Sequence, residues 1–289
     1  MTQPNKEPLD VVNSTGFLFQ YRVAHEIEST RDHHGWTVAG QEHRWQNNEL
    51  KKEGFIDIVV QEEQFGMRIA IECKKRRDKS WIFLIPNTDI RAVTRTRVHW
   101  TFLVHERETL TGWDDFHLLP KTVESSICVM QGDDDKNRSR AMLEQLADPV
   151  LASVEALADE ELQIVSSDFG AVRSLYMPVI VTNCELQTCS FNPYDIDLDT
   201  GEIDKARVEF LSVPFIRFRK NLSTKSKSLN TPRDLQQANQ ENERTIFIVN
   251  AAHLTDFLSK CRFSNPGDYR SPWAMAQRII ETRTRRSRL

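Results

Sequence analysis

Apolar residues recur along this chain in two rhythms. Phe17, Phe19, Tyr21, Val23, Ala24 and Ile27 predict a helix over about 16–29, with Ser14 or Thr15 as its cap. Leu143, Leu146, Ala147, Val150, Leu151, Val154, Leu157 and Ala158 follow steps of three and four and predict a second helix over about 139–162. Asp148-Pro149 inside that block is the pair expected at a cap and first helical position, so the block is expected to be kinked or split. Residues 55–60 and 68–74 read as two strands of a hairpin, preceded by a strand after Gly35 (WTVAGQEHRW) and followed by WIFLIP. The stretch RAVTRTRVHWTFLVHE, within a mixed region at about 88–136, fits helix or strand. Further strands are expected at YMPVIVTN, LQTCSFN and VEFLSVPFIRFRK. TIFIVN then leads through an Asn250 cap into a last helix. NLSTKSKSLNTPR reads as a polar loop. No internal repeat is present, and the mixture of elements places the chain in the α/β or α+β class.

Composition narrows this picture. The 289 residues are 39% hydrophobic and 28% charged, enough for a globular core. No apolar run approaches the roughly 18–20 residues that span a bilayer, so no membrane association is expected. MTQPNKEPLDVVNS lacks the apolar centre of a secretory signal. The five cysteines, Cys73, Cys128, Cys184, Cys189 and Cys261, form an odd set without a CxxC pair, which points away from a disulfide framework or zinc ribbon and toward the cytoplasm. A formal charge of −4 excludes nucleic-acid binding by bulk charge but leaves local basic patches: 74–79, 217–227 and the tail TRTRRSRL.

The chemistry concentrates in the hairpin. A turn centred between Gln64 and Phe65 sets Asp57 opposite Glu72, with β-carbons about 4.5–5.5 Å apart. Alternation places Lys74 on the face of Glu72, while Ile69, Ile71 and Cys73 point toward a core. Opposed like charges destabilise an ordinary sheet; a divalent cation reverses that sign by making both carboxylates ligands. The sequences GxSxG, GxxxxGK[ST] and GxGxxG are absent, no HExxH occurs, and YDIDLDTGEID lacks the spacing of a calcium loop.

Asp57 within GFIDIVV, followed after Ala70-Ile71 by Glu72-Cys73-Lys74, resembles the PD-(D/E)XK nuclease superfamily. The preceding helix and the Gly-Trp at 35–36 extend that resemblance over about 16–85. It implies a restriction-endonuclease-like core: a mixed central sheet flanked by helices, with additional C-terminal strands and a helix. The implied layout is a leader at 1–13, a nuclease domain at 14–262 with an insertion around 88–136, and a basic tail at 263–289. It further implies an Mg²⁺- or Mn²⁺-dependent endonuclease, with DNA as the first substrate and RNA as the alternative. Asp57, Glu72 and the Cys73 carbonyl would hold the ion, and Lys74 would serve the attacking water and the phosphate. Many relatives carry glutamate where this chain has Gln20, which the resemblance places at the metal site as an amide that can orient a metal-bound water; Glu26 is the nearby acidic alternative. Lys75, Arg76, Arg77, Arg217 and Arg219 are candidate phosphate contacts. A homodimer and a separate ATPase or defence partner are compatible with the resemblance. The competing expectation is a module of the same fold that binds nucleic acid or protein without catalysis.

Overall fold

The computed structural model describes residues 7–62, 66–76, 79–86, 91–104, 108–130, 142–164, 172–223 and 232–265. In chain order the elements are α1 (Pro8–Ser14), α2 (Phe17–Ser29), α3 (Arg31–His34), β1 (Thr37–Asn47), β2 (Lys52–Glu62), β3 (Met67–Lys74), β4 (Ser80–Ile85), β5 (Val93–Val104), β6 (Glu108–Thr122), β7 (Glu124–Ser125) and β8 (Cys128–Met130). They continue with α4 (Met142–Ile164), β9 (Val172–Thr182), β10 (Glu185–Phe191), β11 (Val208–Ser212), β12 (Phe215–Asn221), α5 (Leu235–Glu241), β13 (Glu243–Asn250), α6 (Leu254–Lys260) and β14 (Arg262–Phe263). This is a mixed α/β protein. The main sheet runs β1-β2-β3-β9-β13-β12-β7, and β5, β6 and β14 extend it beside β9. A second sheet runs β11-β10-β4-β8.

Two apolar cores cover the two faces of the main sheet. Val23, Ala24 and Ile27 of α2 and Leu254, Phe257 and Leu258 of α6 pack with Ile58, Val60, Ile69, Ile71, Val179 and Val181. On the opposite face, Leu143, Ala147, Val150, Leu151 and Val154 of α4 pack with Val59, Ala70, Tyr176 and Ile180, and with Trp81, Phe83 and Leu186 of the second sheet. α2 buries one stripe because its apolar residues recur near the helical period, whereas α4 is buried on every side over Val150–Ala156.

β9 is the pivot. It pairs in parallel with β3 from Met67↔Leu175 to Lys74↔Thr182. Its other edge pairs antiparallel with β5 as far as Tyr176, then parallel with β13 from Val179. Pro178, which has no N–H to give, lies where that edge changes partner.

The hairpin register matches the sequence expectation. Val59 faces Ala70 and Ile58 faces Ile71, where the paired ladder ends, and Asp57 and Glu72 are the next residue on each strand. Beyond it β2 continues with β1 and β3 continues with β9. Gly66 closes the hairpin at φ +64°, and its carbonyl accepts from Leu175 N–H at 3.0 Å. A β-carbon there would stand 2.4 Å from the Arg173 carbonyl oxygen. Gly66→Ala is therefore expected to destabilise the protein by on the order of 2 kcal/mol or more, read from urea unfolding. A variant as stable as the parent would show that this turn does not set the register.

The structure corrects or completes the sequence reading in several places. Residues 8–13 of the expected leader belong to α1, and the Ser14 and Thr15 hydroxyls donate back to Val11 and Val12 carbonyls rather than capping α2. α4 is one continuous helix with Pro149 inside it, so the block is not split in two, and Asp148 pairs with Lys52 at 2.7 Å instead of capping. RAVTRTRVHWTFLVHE contributes the strand β5, paired to β9, so this part of the expected insertion is integral to the main sheet. The run VEFLSVPFIRFRK is two strands, β11 and β12, belonging to different sheets. Helix α5, whose Asp234 side chain accepts from Gln237 N–H, was not expected. The tail from 266 onward and most of the 221–233 loop lie outside the described residues.

Candidate metal centre at the β2–β3 fork

The fork opens because Asp57 takes over a backbone hydrogen bond. Its Oδ2 accepts from Cys73 N–H at 2.6 Å. An extended residue turns its N–H and C=O toward the same edge, so the Cys73 carbonyl lies on the β2 side, as Asp57 does. Face alternation also breaks at this point: Ile58 and Val60 belong to the α2 core, whereas Ile56 and Val59 belong to the α4 core. Directly across, between the rungs Gln41↔Ile58 and His43↔Ile56, Glu42 adopts φ +49°. A non-glycine residue there costs on the order of 1–2 kcal/mol, so the surroundings hold this irregularity in place.

The residues proposed from sequence converge. Lys74 Nζ meets Glu72 Oε1 at 2.5 Å, confirming that they share a face. Burial and the neighbouring Glu72 charge push the Asp57 carboxyl up from 3.8 to about 6, opposed by the Cys73 N–H and by Lys74, with Glu42 adding to the rise. Gln20, 5% exposed, donates from Nε2 to Asp57 O at 2.9 Å and to Glu42 Oε1 at 2.6 Å. Glu26 instead pairs with Arg22 and accepts from Thr255, so of the two helix candidates it is Gln20 that touches Asp57. Glu42 was missed in the sequence. Its only signal was its position opposite Asp57, which becomes visible once the β1–β2 register is known.

The acidic pair fits a hard divalent cation. The donors are carboxylate and carbonyl oxygens, and the half-buried Asp57 carries uncompensated repulsion that a cation would relieve. Among the described residues no group of three or more His, Cys, Asp or Glu side chains is placed to hold a metal, so the fork is a two-carboxylate arrangement. The raised Asp57 value has a clear sign. Its neutral form is favoured in the fold, so its contribution to stability is complete below about 3.8 and lost as pH rises through about 6. Without metal, Asp57→Asn is expected to be more stable than the parent at pH 8 by about 1–2 kcal/mol after allowance for solvent screening. The gap should narrow as pH falls from 6 toward 4. Urea unfolding in EDTA across that range checks this; a pH-independent difference would refute it.

The basic candidates fare differently. Lys75 Nζ donates to the Asn13 carbonyl at 2.7 Å, tying α1 to the end of β3. Arg76 is half-buried, with its N–H on Asn183 Oδ1 and its guanidinium against Met142 Sδ at 2.5 Å. Arg77 lies outside the described residues. Arg217 and Arg219 are corrected outright. Arg217 is 0% exposed and holds the Leu118 and Pro120 carbonyls and the Thr96 and Thr122 hydroxyls, with Phe247 under its guanidinium. Arg219 is buried between Asp115 and Glu243. The alternation of Arg217 and Arg219 with Phe215 and Phe218 resembled a polar strand face, but both faces of β12 are covered.

The five cysteines are buried and free, and no helix among the described residues is long and apolar enough to cross a membrane. In comparisons with known proteins, no family model, no curated protein and no solved structure matches the chain.

Proposed function

We propose that this protein is a metal-dependent phosphodiester hydrolase that cuts nucleic acid, with DNA as the first substrate to test. The observation that carries the reading is the meeting of Asp57, Glu72 and Lys74 where β2 and β3 part. The order of elements also supports it: α2, three antiparallel strands β1–β3 and, after the intervening β4–β8, α4 and a strand β9 parallel to β3, as expected for a restriction-endonuclease-like core with an insertion.

Asp57, Glu72 and the Cys73 carbonyl would hold Mg²⁺ or Mn²⁺. A divalent cation, when bound, supplies Lewis acidity toward the phosphoryl group and lowers the pKa of water. The Cys73 N–H fixes Asp57 Oδ2 and so orients the carboxylate. Lys74, held by Glu72, presents its ammonium where negative charge grows on the phosphoryl oxygens, and in that half-buried setting such charge stabilisation outweighs its value in water.

The test is incubation with plasmid, single-stranded DNA and RNA, in Mg²⁺ and in EDTA, beside Lys74→Ala. Cutting that needs Mg²⁺ and disappears in the variant supports the proposal and identifies the preferred nucleic acid. No cutting of any substrate, or cutting unaffected by Lys74→Ala, would overturn it. Binding without cutting would favour the non-catalytic module.

A further inference from the structure

We infer that Gln20 acts as an amide, not as a stand-in for a carboxylate, and that Glu42 is the positioning residue that fixes its orientation. This rests on the hydrolase reading of the same fork. Both partners of Gln20 Nε2, the Asp57 carbonyl and the Glu42 carboxylate, are acceptors. Only the NH₂ end of the side chain satisfies both, so the amide has one possible orientation. Both amide hydrogens are then used. The oxygen Oε1 accepts from no donor among the described residues, and the residue as a whole is 5% exposed. An amide anchored beside Asp57 through its NH₂ end keeps its oxygen as an acceptor suited to receive a hydrogen from the attacking water. Glu42 reaches Gln20 because its backbone sits at φ +49° on the rung opposite Asp57. The strained position and the hydrogen bond belong to one device.

A glutamate at position 20 would fail here for a physical reason. It would bring a carboxylate against another carboxylate and a backbone carbonyl, with no donor between them. The superfamily pattern in which glutamate is the common residue therefore does not transfer to this chain.

Three variants test this. Gln20→Glu is expected to lower kcat by roughly 10–10²-fold and to lower the Tm in EDTA. In Gln20→Glu with Glu42→Gln, the new amide donates to the new carboxylate, and both losses should partly recover. Glu42→Ala should lower kcat with little change in KM while keeping the Mg²⁺-induced rise in Tm, because Asp57 and Glu72 remain. Gln20→Glu as active and as stable as the parent would overturn the inference. So would loss of the Mg²⁺-induced Tm rise in Glu42→Ala, which would make Glu42 a ligand. Should the parent cut nothing, the hydrolase reading falls, while the Tm series in EDTA still decides whether position 20 requires an amide.

Discussion

Glu72→Ala is expected to reduce Mg²⁺-dependent cleavage by at least about 10³-fold, the scale of losing a group that acts on charge developing in the transition state. On the proposed function two effects combine: the ion would lose one of two carboxylates, and Lys74 loses the partner that holds its ammonium at 2.5 Å. Stability should move the other way. Glu72 is the largest charge acting against Asp57 after burial itself, so removing it relieves repulsion in the metal-free protein. The expected signature is a variant that is catalytically silent, at least as stable as the parent in EDTA, and no longer stabilised by Mg²⁺, since a ligand raises stability only in proportion to its binding of the folded state. Plasmid cleavage and thermal unfolding on the same preparations test it. A variant that loses activity only because it unfolds would remove the support for a metal role.

Arg217→Met is expected to cost on the order of 3–5 kcal/mol, with Arg217→Ala costing more because it also leaves a void. A buried ion pair replaced by apolar side chains can be nearly neutral, but that argument does not apply here. The acceptors around Arg217 are carbonyls and hydroxyls of β5 and β6, which remain buried and lose their donors when the guanidinium goes. Burial lowers the Arg217 pKa to about 10, partly offset by Glu124, which still leaves the group protonated at neutral pH. Arg217→Lys should rescue little, since one ammonium cannot reproduce a planar fork reaching Thr96, Pro120, Thr122 and Leu118. Chemical denaturation measures this; a loss under about 1 kcal/mol for Arg217→Met would show that water replaces the guanidinium. Because Arg217 ties β12 to the β5–β6 hairpin, and β5 pairs with β9 beside β3, the damage should extend toward the fork.

The site was legible where chemistry and period coincide locally. Asp57, Glu72 and Lys74 lie on one short hairpin whose register runs as far as Ile58↔Ile71, so counting residues was enough to bring them to the same end of it and to put Glu72 and Lys74 on one face. α2 and α4 were legible for the same reason, each carrying an apolar stripe at helical spacing. Glu42 was not legible, because it joins the site through a bulged register and a positive φ that no side-chain pattern announces. Arg217 and Arg219 were misread because alternating arginine and phenylalanine looks the same on a solvent-facing strand and on one whose polar face is covered. Only the docking of the β5–β6 hairpin distinguishes the two cases.

The division follows the range of the forces involved. Periodicity, turn position and the pairing of neighbouring strands depend on residues close in the chain, and these alone determined the hairpin, its acidic pair and the two flanking helices. Which edge of β9 meets β5 or β13, which cations are buried, and which amide lies against Asp57 depend on segments separated by tens to hundreds of positions. Their energies exist only once the two cores have closed, so tertiary structure decided them.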